Sequence, residues 1–321
     1  MKPNISIIIP IYNVEQYIEE CLQSVADQTM TDGVECILVD DCGKDNSASI
    51  AKQFIDSYHG NIKFRFVQRE KNGGLSAARN SGLKVASGKY VYFLDSDDYL
   101  IAEAMESLWA LAEKYEDVDL MPALYITDGK RYMSQFNEYS FPGFSDNQYL
   151  IKRSLLDYDC IPVTAHNRLI RRELIFNNNL WFKEGIIHED NYWTFFLAKF
   201  VKRMVFCPEK LYYYRITPGS ITNKINKEKE IFAFTTMVND FSENIDTFYK
   251  GAQKKYIFLH LLTMKNNHYY SEKKEFKALF NKFSSQCTFV ERLLLFLIFN
   301  SKGYFQAKVI NLLQRVFLSM K

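Results

Sequence analysis

The spacing of apolar positions changes period repeatedly over the first hundred residues, and each change marks an element. Ile5-Ser6-Ile7-Ile8-Ile9 is a β-branched run stopped by Pro10, the pattern of a strand covered on both faces. Val14, Tyr17, Ile18, Cys21, Leu22 and Val25 then recur at helical spacing, with Asn13 placed as the N-cap and Gln16 three residues on, which predicts an amphipathic helix from residue 14. Val34 to Val39 reads as a second strand ending at Asp40-Asp41, and Ala48, Ile50, Ala51, Phe54, Ile55 and Tyr58 as a second helix. Ile62, Phe64 and Phe66 predict a third strand. After Asn72-Gly73-Gly74 a small-residue helix runs through Leu75, Ala77, Ala78 and Leu83, and Tyr90 to Leu94 forms a fourth strand that delivers Asp95-Ser96-Asp97-Asp98. Repeated βα units of this kind predict a parallel sheet with helices on both faces.

Past residue 100 the pattern loosens. Ala104, Met105, Leu108, Trp109, Leu111 and Ala112 make one more helix face, and Val118 to Ile126 suits a strand. Residues 127–165 are polar and aromatic without a clean period, an excursion suited to shaping a second binding site. From residue 226 the chain reads as a helical appendage. At its end Phe305, Val309, Leu312, Leu313, Val316, Phe317 and Met320 keep helical spacing, with Lys308, Arg315 and Lys321 between them. Such a helix docks on its own domain or on a second copy in a homo-oligomer, or else lies on an anionic membrane through residues 304–320. No apolar run reaches the ~18 residues of a membrane span, and the N-terminal apolar stretch is too short for a signal-peptide core. The expected location is cytoplasmic, peripheral on the inner face of the membrane if the tail binds lipid.

Composition narrows the classes. Across 321 residues, 40 Lys plus Arg against 38 Asp plus Glu leave a net charge of +2, which argues against nucleic acid as a partner of the whole surface. Hydrophobic residues at 47% and charged ones at 24% are globular values that exclude a disordered chain. The cysteines form no C-x-x-C pair, so neither a zinc ribbon nor a thioredoxin-like motif is present.

In open parallel sheets ligands bind outside the carboxyl ends of the strands, where this chain gathers its acids. The first strand ends in Pro10-Ile11-Tyr12-Asn13 without the G-x-G-x-x-G turn, which disfavours a nicotinamide dehydrogenase. Asp40-Asp41 and the polar loop after them offer acceptors for a base N–H or a ribose hydroxyl, or simply begin a turn and cap the next helix. Asp95, Asp97 and Asp98 repel one another unless a cation offsets them, and a hard divalent ion, Mn²⁺ or Mg²⁺, suits a strand-end carboxylate pair that handles a nucleoside diphosphate. A phosphate hydrolase also uses paired aspartates but places them after its first strand; here they follow the fourth.

Taken together, Ile5–Asn13, Leu38-Val39-Asp40-Asp41, Asn72-Gly73-Gly74-Leu75-Ser76-Ala77-Ala78-Arg79-Asn80-Ser81-Gly82 and Phe93-Leu94-Asp95-Ser96-Asp97-Asp98 resemble, in order and spacing, the family 2 glycosyltransferases of the GT-A fold. The resemblance covers residues 1 to about 225. It implies an α/β, Rossmann-like, mostly parallel sheet flanked by helices: a catalytic domain over 1–225, with a nucleotide-sugar half (1–100) and an acceptor half (101–225), then the helical region 226–321. It implies an inverting transferase that moves a hexose or N-acetylhexosamine from a UDP-sugar donor, with a divalent metal, to a glycan or lipid-linked glycan acceptor in cell-surface polysaccharide or lipopolysaccharide synthesis. Carried over residue by residue, Pro10 and Tyr12 line the nucleotide pocket, Asp41 accepts from uracil, Arg79 sits near the donor, Asp95 binds ribose or sugar, and Asp97 holds the metal. The loop departs from the family pattern, reading Asp-Asp-Cys-Gly-Lys where Asp-Asp-Gly-Ser is usual.

Inversion in one displacement requires a base for the acceptor hydroxyl. Read alone, Glu189-Asp190 is a dipole partner at a helix N-terminus; the resemblance of Ile187–Trp193 to the family's Glu-Asp segment makes Asp190 the base and Glu189 its support. Tyr212–Thr222 resembles a Tyr-Arg segment followed by Ser-Ile, which puts Arg215 and Ser220 at the diphosphate or acceptor. His166–Leu174 is similar to a family scaffold stretch, with His166 as an acceptor contact, and His188 reads as structural, with a metal ligand or proton acceptor as the alternative. The competing reading is an inactive nucleotide-sugar-binding scaffold subunit of a glycan assembly complex. A processive synthase is disfavoured, because membrane spans and a Gln-x-x-Arg-Trp motif are both missing.

Overall fold

A computed structural model describes residues 3–127, 143–156, 161–217, 226–246, 249–269 and 273–319. The first half runs β1 (Ile5–Ile11), α1 (Ile18–Ala26), β2 (Val34–Asp40), α2 (Ser47–Ser57), β3 (Lys63–Gln68), α3 (Leu75–Val85), β4 (Tyr90–Phe93), β5 (Tyr99–Leu100) and α4 (Ala104–Lys114). Then come β6 (Leu120–Thr127), β7 (Phe144–Ser145), α5 (Gln148–Leu156), β8 (Arg168–Arg171), α6 (Arg172–Asn177), α7 (Glu189–Phe200), β9 (Met204–Val205) and β10 (Cys207–Tyr214). Helices α8 (Lys227–Glu243), α9 (Lys250–Asn266), α10 (Lys273–Ser285), α11 (Phe289–Asn300) and α12 (Gly303–Ser319) follow.

The main path of the sheet is β3-β2-β1-β4-β8-β6-β10-β5. Strands β3, β2, β1 and β4 are parallel, as their βα connections require. β8 then inserts antiparallel between β4 and β6, and β10 runs parallel to β6. β1 and β2 are buried at every position, which explains why they read as continuous apolar runs, whereas the edge strand β3 is only partly covered. Ser6 tolerates this burial because its hydroxyl donates to Glu35 at 2.5 Å and accepts from the Gly88 N–H at 2.8 Å. Helix α3 lies so close to β1 that a Cβ at Gly82 would stand 2.4 Å from Ile8 Cγ2, a separation only glycine permits.

Two expectations shift. The first helix begins at Ile18, not at residue 14: Asn13 adopts φ 53° and its Oδ1 accepts the Lys44 N–H at 2.7 Å, so it ties the strand-end loops together rather than capping. In α12, Val309, Leu313 and Phe317 are buried in the core that also holds residues of α7, α8, α9 and α11, so these three positions dock on the chain itself. Among the described residues no helix is long and apolar enough to cross a membrane.

Candidate active site

Helix α3 starts at Gly74, whose φ of 82° is a left-handed conformation favoured by glycine, and its second turn carries Arg79 over the carboxyl ends of the strands. Arg79 is 1% exposed. Its guanidinium donates to Asp95 Oδ1 at 2.9 Å, to Glu189 Oε1 at 2.8 Å and to Asp190 Oδ1 at 2.8 Å. The same group lies 5.3 Å from the ring centroid of Phe182, which stacks on Trp193 at 4.6 Å. One buried cation thus joins the β4 end to the start of α7, two segments more than ninety residues apart in sequence. Asp190 retains 21% side-chain exposure, so it is partly open to solvent while Arg79 holds its Oδ1.

The charges are unbalanced: Arg79 is the shared counter-ion of Asp95, Glu189 and Asp190, while Asp97 and Asp98 beside them are met by Arg215. Burial pushes the Asp95 carboxyl up, but the Arg79 guanidinium outweighs it and leaves it below the ordinary range. Burial followed by repulsion from Asp95 pushes Asp97 up to about 6, and burial with repulsion from Asp95 and Asp97 pushes Asp98 up to about 8. Burial and the neighbouring Asp190 raise Glu189 to about 7 against the pull of Arg79. Burial also holds the His166 imidazole below its usual value, hence neutral and able to act as a ligand.

Asp95, Asp98 and His166 each offer one ligand atom, all within 4.8 Å of one another, the donor set of a divalent cation. The Asp98 oxygens are taken, one by the Tyr212 hydroxyl at 2.5 Å and the other by the Arg215 N–H at 2.8 Å. Asp97, the ligand expected from sequence, is half-buried and accepts a long 3.4 Å hydrogen bond from Thr217. The excess of buried carboxylate and the neutral imidazole fit a cation at this strand end.

The other expected residues fall around this centre in different ways. Pro10 is buried in β1 beside Tyr12, which is exposed. Asp41 is buried beneath the 69–74 loop: Arg69 pairs with one oxygen, and the N–H groups of Gly73 and Gly74 and the Asn72 amide donate at 2.8 to 3.0 Å. Its carboxylate therefore shapes the loop that launches α3. Arg215 donates to the Asp97 carbonyl at 2.9 Å and to Glu20 at 2.5 Å, and lies over the rings of Tyr17 and Tyr99. Ser220 lies outside the described residues. His188 adopts φ 58° ahead of α7 and stands 3.6 Å from Glu230 of α8.

Two residues were undervalued by sequence reasoning. His166 Nε2 lies 3.8 Å from Asp95 Oδ2, with its ring stacked on Tyr212. Arg168 is 1% exposed, and among the described residues neither terminal nitrogen of its guanidinium has a hydrogen-bond partner, although it feels the charge of Asp190. The available signal was period: in β8, Arg168 and Ile170 share a face, and an arginine on an apolar strand face calls for an explanation.

The chain is similar to known proteins in sequence and in fold. The chain is 34% identical over 231 residues to the uncharacterized glycosyltransferase EpsJ of Bacillus subtilis, covering 69% of this chain and 64% of that protein. It is 30% identical over 248 residues to the glycosyltransferase GlyA of Streptococcus pneumoniae, covering 75% of this chain and 34% of that protein. The chain thus spans less than two thirds of either relative. The fold superposes on residues 1–349 of Staphylococcus aureus TarS in complex with UDP-GlcNAc with a TM-score of 0.72 at 20% identity, over 98% of this chain and 90% of that one. A mannosyltransferase from Pyrobaculum calidifontis in complex with GDP-Man and Mn²⁺ gives 0.54 at 16% identity, over 100% of this chain and 88% of that one. The glycosyl transferase family 2 model matches residues 6–176, the span from β1 to α6 that carries Arg79, the Asp95–Asp98 turn and His166, and the chain belongs to that family.

Proposed function

We propose that the chain is an inverting transferase that moves a hexose or N-acetylhexosamine from a UDP-sugar to a glycan acceptor in cell-surface polysaccharide synthesis. The observation that carries this reading is the Arg79 guanidinium holding Asp95 and the Glu189-Asp190 pair within 2.9 Å, which brings a donor-side carboxylate and a candidate base to one point. The name of TarS, a poly(ribitol-phosphate) β-N-acetylglucosaminyltransferase, and the UDP-GlcNAc bound to it support the donor class and the acceptor class.

In this reading Asp190 takes the proton of the acceptor hydroxyl, the oxygen attacks the anomeric carbon, and the bond from that carbon to the diphosphate breaks with its electron pair leaving on UDP. Arg79 keeps the Asp190 carboxylate oriented by one oxygen and leaves the other for the proton. A divalent cation held by Asp97, with Asp95, Asp98 and His166 beside it, would supply charge neutralisation for the diphosphate. Arg215 fixes the Asp95–Asp98 turn through the Asp97 carbonyl and the Asp98 carboxylate. Phe182 and Trp193 close the apolar side beneath Arg79 and exclude water from it.

The test is UDP release from a panel of UDP-sugars with Mn²⁺ or Mg²⁺, with chelator and Asp97→Asn as controls. Release from one sugar, lost in both controls, is expected. UDP-sugar binding without release from any sugar would favour the scaffold reading instead.

A further inference from the structure

Helix α11 is apolar around its whole circumference, a composition that normally means burial on all sides. Its inner face, with Leu294, Leu295 and Ile298, is buried as expected. Its outer face is not: Phe289 is 82% exposed, and Val290, Leu293 and Phe296 are each at least half exposed. Phe305 and Leu312 of α12 are exposed to the same degree, while Tyr12, Ile216 and Phe232 are the large apolar side chains exposed elsewhere among the described residues. The helix is firmly placed. A Thr288–Glu291 capping box starts it, and Glu291 pairs with buried Lys254 at 2.8 Å.

The exposed charges of α11, α12 and their connection have one sign. Between Phe289 and Ser319 the cations Arg292, Lys302, Lys308 and Arg315 are all exposed, and the one acid, Glu291, is fully buried against Lys254. A second copy of the chain would bring like charges together. Anionic phospholipid headgroups complement both the apolar stripe and its cationic surround.

We infer that α11 and α12 form a lipid-docking surface on which Phe289, Leu293 and Phe296 enter the headgroup–acyl boundary of an anionic bilayer while the flanking cations meet the phosphates. The sequence alone pointed to the apolar stripe of α12; burial of Val309, Leu313 and Phe317 leaves α11 as the principal apolar contact. The surface is independent of the reaction assigned to the strand-end site.

The test is co-sedimentation of the full chain with vesicles of two parts phosphatidylcholine to one part phosphatidylglycerol, and with phosphatidylcholine alone. Wild type is expected to bind the anionic vesicles at least about tenfold more tightly than the neutral ones. The triple variant Phe289→Ser, Leu293→Ser, Phe296→Ser should lose about a hundredfold on anionic vesicles while melting like wild type, since all three side chains are exposed. Lys302→Glu with Arg315→Glu should weaken anionic binding and abolish its salt dependence. Failure of the wild type to bind anionic vesicles overturns the inference, as does equal binding by the triple variant. A wild-type dimer in light scattering that the triple variant dissociates, without vesicle binding, would make the face a contact between copies.

Discussion

Replacing Arg79 by lysine keeps the charge and removes the fork. Arg79 makes three charge-assisted hydrogen bonds at 2.8 to 2.9 Å with the guanidinium fully buried. A lysine ammonium, on a shorter reach and without a planar donor pair, retains one of them. Losing two such bonds at about 1.5 to 3 kcal/mol each gives roughly 3 to 6 kcal/mol, and water admitted to the carboxylates favours the lower end, about 3 kcal/mol. For a chain of this size that lowers the melting temperature by roughly 4 to 5 °C. Because Asp190 would also lose its fixed orientation, UDP release per folded molecule should fall by about 10²-fold or more. Calorimetry and a release assay below the new transition separate the two effects. A melting shift under a degree with turnover within twofold would refute the bridging role; a large melting shift with unchanged turnover would leave Arg79 a purely structural cation.

Three further outcomes follow from single side chains. Arg168→Leu removes a buried guanidinium whose terminal nitrogens have no partner among the described residues, so thermal stability should hold or rise by about 1 kcal/mol while KM for the sugar donor or acceptor rises; a clear loss of stability would show that Arg168 supports the fold instead. Burial pushes His260 down to about 4, with its Nδ1–H donating to the Tyr256 carbonyl at 2.8 Å. Because the folded-state value is depressed, the stabilisation is intact above pH 6.5 and is lost as pH falls toward 4, by about 2 kcal/mol at pH 5; denaturant titrations at pH 7.5 and pH 5 should show this loss in wild type and not in His260→Leu, and equal losses would contradict it. Tyr212→Phe deletes the hydroxyl that donates to Asp98 at 2.5 Å, which should weaken Mn²⁺ binding by about tenfold; unchanged Mn²⁺ affinity would separate Asp98 from the metal site.

The first four strands were legible because their signals are local. Each is a short apolar run ended by the polar residues it delivers, and the parallel order follows from the connections. The second half of the sheet was not legible in the same way. β8 has four residues, and it joins β4 to β6 by antiparallel pairing across a long stretch of sequence. β10 pairs with β6 through register shifts that break its alternation. The site shows the same division. The strand-end aspartates could be read from their spacing, but their convergence with Glu189 and Asp190 on Arg79 depends on a contact across 110 residues. Asn13 looked like a helix cap because its spacing allowed it, and the competing partner, Lys44, lies on another loop.

Donor hydrolysis by Asp190→Asn, set beside isothermal titration of UDP with Mn²⁺, bears most directly on the transferase reading. The carboxamide keeps the shape of the side chain and cannot take a proton. UDP affinity within threefold of wild type, with turnover down by about 10²-fold or more, is the result expected of a base that does not hold the nucleotide. Unchanged turnover in Asp190→Asn would contradict the assignment of the base, and a wild-type chain that neither binds UDP nor releases it from any UDP-sugar would contradict the transferase reading itself.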